Sequence, residues 1–96
     1  MAKKIVWTKR ADKKYDAIID YLIKEWGERV TGEFVKRTYS FLDILIDFPE
    51  IGTVENADKG IRGFPLTKHV RVFYRIAGEY ILLLNFFDNR QEKKKE

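Results

Sequence analysis

No cysteine occurs in the 96 residues, which excludes a disulfide framework, a thiolate nucleophile and any zinc site built on sulfur. Histidine occurs once, at His69, so a histidine-rich metal centre is excluded too. Serine also occurs once: Ser40 lies mid-way along a predicted helix, and a Ser-His-Asp relay finds little support. No run approaches the ~18 apolar residues of a membrane span, and the start, MAKKIVWTKR, enters a strand without an apolar signal region. A cytoplasmic protein without membrane contact is expected. Gly60 and Gly63 flank a strand and do not open a helix, so no phosphate-cradling glycine loop is present. Neither a metal nor a small-molecule cofactor is expected.

Charge and rings are plentiful. The net charge is +4 with a pI near 9.3, a balance that favours nucleic acid or an acidic protein as partner. Seven Phe, five Tyr and two Trp predict a core built around rings. The length suits one domain over residues 1–96. Part of the positive charge sits in a lysine-rich end, Gln91 to Glu96, which reads as a disordered tail.

Periodicity divides the chain. Lys3 to Trp7 is rich in β-formers and predicts a strand, and Thr8 is placed to cap the helix that follows. Ala11, Tyr15, Ile18, Ile19, Leu22 and Trp26 form one helical stripe, which Gly27 ends. A second helix begins between Glu28 and Thr31, with Val30, Phe34, Thr38, Phe41, Leu45 and Phe48 on its stripe, and Pro49 stops it. The two helices should form an antiparallel hairpin with both stripes in the core. Glu50 to Gly60 shows no period and reads as a loop. Strands are predicted at Ile61–Leu66, Lys68–Ile76 and Tyr80–Phe87, the last two joined by the Ala77-Gly78-Glu79 turn. The last strand is apolar on both sides, which suggests a central position in the sheet. The order β-α-α-β-β-β gives an α+β fold, a helical hairpin on one face of a largely antiparallel sheet.

Chemistry concentrates between Gly60 and Arg90. From His69 the residues alternate: Val70, Val72, Tyr74 and Ile76 share one face, and His69, Arg71, Phe73 and Arg75 the other. The first face should pack on the helices and leave the second open. Arg62, Arg71 and Arg90 fall on or just after three strands expected to be neighbours, so their side chains should be able to converge. A guanidinium offers phosphate two parallel hydrogen bonds and keeps its charge near neutral pH. Lys68 and His69 stand beside Arg71 as a point charge and a titratable group. The same residues also suit an ordinary solvated sheet face.

The ordered combination of PEIG after the second helix, then GIRGFPL, HVRVFYRI, a turn and a strand running into FFDNRQ resembles the RelE/ParE family of toxins of type II toxin–antitoxin systems, from Ile5 to Gln91. The resemblance implies a toxin held by a cognate antitoxin, and two branches stay open. One leads to a metal-independent endonuclease that cuts mRNA on the ribosome, the other to a toxin that poisons DNA gyrase without cutting RNA; an inactive relic held by an acidic partner is a blander third reading. On the nuclease branch, Arg71 matches a phosphate-binding arginine and Arg90 the arginine of charge stabilisation and leaving-group protonation. Lys68 stands near the catalytic lysines, with Arg62, His69, Phe73 and Arg75 as substrate-binding candidates. Arginines at the Arg71 and Arg90 positions also occur on the gyrase branch. RelE-like nucleases carry a base-stacking tyrosine beyond the last arginine, and here no tyrosine follows Tyr80. Stacking is worth roughly 1–3 kcal/mol per base, so Phe73 or Phe87 would have to substitute.

Overall fold

The computed structural model describes residues 3–90. It begins with strand β1 (Lys4–Trp7), followed by helix α1 (Lys9–Asp47), which breaks at Gly27. Thr8 caps the helix as expected: its hydroxyl accepts from the Ala11 amide at 3.2 Å and donates to the Leu83 carbonyl at 2.7 Å, tying the helix start to the last strand. Gly27 has φ +88°, ψ −178°, a backbone region open essentially to glycine alone, and the chain reverses there. The two arms of α1 run back along each other. Tyr15 of the first donates to the Thr38 hydroxyl of the second at 3.0 Å and stacks on Phe34 with 5.6 Å between ring centroids. The helical hairpin inferred from the two stripes is therefore present.

Four strands follow: β2 (Thr53–Asn56), β3 (Ile61–Pro65), β4 (Val70–Ala77) and β5 (Tyr80–Asp88). The predicted order lacked one of them, because β2 lies inside the segment read as a loop. All four β2 residues are exposed, so no inward-facing apolar residue marks the strand in the sequence. Its pairing with β3 is also irregular, slipping between Val54 and Asn56 around Glu55. The sheet order is β1-β5-β4-β3-β2, antiparallel except for the parallel β1–β5 pair. β5 is interior, as its apolar composition suggested, and β2 is an edge.

One face of the sheet meets the hairpin. Val70, Val72 and Tyr74 of β4 are fully buried there, with Ile81, Leu83 and Phe86 of β5. The β4–β5 register slips between Phe73 and Tyr74: Phe73 faces Asn85, and Tyr74 faces Leu83. The extra residue, Leu84, changes the parity of β5, so Ile81, Leu83, Phe86 and Asp88 all line the core side. Rings fill the core: Trp7 stacks on Phe86 at 5.4 Å, and Phe41 on Phe64 at 4.3 Å. The ends of the predicted stripes depart from expectation. Trp26, beside the Gly27 break, is 57% exposed, and Phe48, the C-cap of α1, is 65% exposed. The predicted tail, 91–96, lies outside the described residues.

Candidate functional site

The open face of the sheet carries Arg71, Phe73 and Arg75, as their alternation requires. Arg71 does not stand free. Its guanidinium pairs with the Glu55 carboxylate of β2 at 2.5 Å and lies 5.8 Å from the centroid of the Phe73 ring. Gly63 of β3 makes room for this pair: a Cβ there would stand 2.8 Å from an Arg71 guanidinium nitrogen and 2.9 Å from a Glu55 oxygen. Both partners remain more than a third exposed, so the pair is worth at most about 1 kcal/mol. It nevertheless occupies the position an incoming anion would take. Arg75 is exposed further along the strand.

Arg62 lies elsewhere. In β3 it stands opposite Tyr74 and donates to the carbonyls of Glu50 at 3.2 Å and Gly52 at 2.8 Å. It closes the chain's exit from the hairpin, together with Tyr74, whose hydroxyl donates to the Pro49 carbonyl and accepts from the Gly52 amide, both at 2.8 Å. Burial pushes the Tyr74 phenol above its usual 10.0, against the smaller opposing effects of the Gly52 hydrogen bond and the nearby Arg62 charge.

Lys68, His69 and Arg90 gather at the opposite end, around a cleft of about 420 Å³ between the hairpin and the β3–β4 turn. Thr67 shapes that turn by accepting from the His69 and Val70 amides, each at 3.1 Å. His69 sits 3.4 Å from the Asn89 side-chain oxygen. Arg90 is anchored twice. Its Nε and one terminal nitrogen donate to the two Asp88 oxygens at 3.2 and 3.3 Å, and its charge lies 5.4 Å from the centre of the Tyr21 ring on α1. The Asp88 side chain is wholly buried. Leu22, Val30 and Phe34 floor the cleft, and Arg37 adds a further cation to its rim.

The expected convergence of Arg62, Arg71 and Arg90 is thus not found. Strand parity sends Arg71 to the open face and Arg62 to the hairpin side, while Arg90 turns back onto α1. Sequence reasoning missed Asp88, Tyr21, Arg37 and Glu55. Asp88 had a faint signal in its two-residue spacing from Arg90; Arg37 had none, since it sits among other charges on a helix face. Among the described residues, no cluster of three or more His, Cys, Asp or Glu side chains is placed to hold a metal ion, and no helix is long and apolar enough to cross a membrane.

Residues 5–92 match the family model of the ParE toxin of type II toxin–antitoxin systems, parDE. The chain belongs to the ParE toxin family. It is a toxin of a type II system, and membership implies a cognate antitoxin as partner. No curated protein sequence matches it. Solved structures share the ParE fold. A chain of the chromosomal ParDE toxin–antitoxin system from P. aeruginosa superimposes with a TM-score of 0.74 at 21% identity, covering 91% of this chain and 96% of that one. A YoeB/ParE toxin from Agrobacterium tumefaciens gives 0.62 at 15% identity, with 88% and 97% covered. A conserved hypothetical protein from Helicobacter pylori gives 0.52 at 14%, with 94% and 97% covered.

Proposed function

We propose that this toxin arrests growth by binding DNA gyrase and does not itself cut RNA. The observation that carries the reading is the dispersal of the candidate catalytic cations. Cleaving a phosphodiester without a metal requires several charged donors, preorganised around one phosphate and its developing charge. Here Arg71 lies on the open face with its anion position filled by Glu55, and Arg90 is held by Asp88 against Tyr21 on the hairpin side. The two guanidinium groups lie on different sides of the sheet, so one phosphate cannot meet both as they stand. Binding to a protein surface makes no such demand, since cations spread over a surface still steer and orient a partner. Membership of the ParE family points the same way.

Purified protein should inhibit gyrase-catalysed supercoiling. Its induction in cells should block DNA synthesis while mRNA ends stay unchanged. Arg71→Ala should leave growth arrest in place. Cleavage of ribosome-bound mRNA by the purified protein, lost in Arg71→Ala, would overturn the reading.

A further inference from the structure

The cleft beside the β3–β4 turn, about 420 Å³, is of a size to take side chains from a partner. Its floor is apolar: Leu22 and Phe34 belong to the core, and Val30 is 37% exposed. Its rim carries three permanent cations, Arg37, Lys68 and Arg90, against a single lining carboxylate, Glu33. A nucleic-acid backbone would meet the cations and leave the apolar floor uncovered. A peptide segment with carboxylates beside a large apolar side chain satisfies both.

Two further features suit such a segment. Arg90 is preorganised, because buried Asp88 takes two of the five N–H donors of its guanidinium and Tyr21 supports the charge. A side chain already held in place loses little freedom when it meets a carboxylate. Trp26 stands one helical turn beyond Leu22, near the hairpin tip, and is 57% exposed. Tryptophan and arginine are the residues most enriched among those that dominate binding energy at protein interfaces.

We propose that this cleft, together with Trp26 one helical turn beyond its Leu22, is the surface with which the toxin grips gyrase, taking an acidic segment of the enzyme that carries a large apolar anchor. The proposal rests on the functional reading above. Lys68 is exposed, and Arg37, also exposed, gives up only a 3.4 Å hydrogen bond to the Leu66 carbonyl, so the double variant Arg37→Glu/Lys68→Glu should keep the native circular dichroism spectrum and melt close to the native temperature. It should lose about tenfold or more in inhibition of gyrase supercoiling. Trp26→Ala should lose a comparable amount. Lys59→Glu, the same charge reversal at the β2–β3 turn, should inhibit like the native protein. If the double reversal unfolds the chain, Lys68→Glu alone and Trp26→Ala decide the matter. Native-level inhibition by the folded cleft variants sinks the proposal. So does a double variant that still inhibits gyrase but no longer binds the antitoxin, because the cleft then belongs to the antitoxin. Native protein without effect on supercoiling overturns the functional reading together with this one, and the native control distinguishes that outcome from the other two.

Discussion

The Tyr74 hydroxyl is bonded on both sides, donating to the Pro49 carbonyl and accepting from the Gly52 amide. Tyr74 is fully buried, so removing the hydroxyl leaves two backbone groups unpaired where water has poor access. Tyr74→Phe should cost about 1–3 kcal/mol. For a domain of this size that lowers the melting temperature by roughly 5–15 °C, which calorimetry would detect. The alternation of β4 already placed Tyr74 on the core face. What its hydroxyl meets could not be read there, since Pro49 and Gly52 lie more than 20 residues away in the chain. Glu55, 16 residues before Arg71, was hidden as its partner for the same reason.

At the level of elements, α1 shows how a single residue sets topology. A Cβ added at Gly27 would meet nothing within 4 Å, so any penalty there comes from the backbone conformation alone. With φ at +88° and ψ near 180°, Gly27→Ala should cost about 1–3 kcal/mol and loosen the contact of Tyr15 with Thr38. Gly63→Ala presents the opposite case. Its Cβ would press on the far ends of Arg71 and Glu55, two flexible side chains on the open face. It should cost less than Gly27→Ala, because the pair it disturbs is a surface pair worth at most about 1 kcal/mol. Urea unfolding of the two variants would show the order, and the reverse order would refute the account. The hairpin was legible because its stripes and Gly27 are local signals; β2 was not, because an exposed edge strand carries no apolar alternation.

For the molecule as a whole, pH is the informative variable. Burial raises the pKa of Tyr15 and of Tyr74 above the usual 10.0. Below pH 10 both phenols are protonated, folded or unfolded, and stability is unaffected. Above it the unfolded chain releases protons that the folded chain still holds, so stability falls as pH rises through and beyond 10. Urea midpoints between pH 8 and 11 should be flat at first and then decline, and Tyr74→Phe should show a shallower decline. A single cooperative transition is expected throughout, since hairpin and sheet share one core.

Local pattern alone was enough to establish an α+β fold, the helical hairpin, the alternating faces of β4 and the interior place of β5, because periods of 3.6 and 2 are properties of neighbouring residues. The resemblance carried by GIRGFPL, HVRVFYRI and FFDNRQ pointed to the toxin family from the sequence by itself. Only the tertiary structure decided where the cations end up. The parity of β3 turned Arg62 toward the hairpin. The extra residue Leu84 in β5 brought Asp88 to the core side, where it holds Arg90, and β2 carried Glu55 across to Arg71. Strand register and edge pairing depend on contacts between distant parts of the chain, which is why one basic stretch became three separate groups.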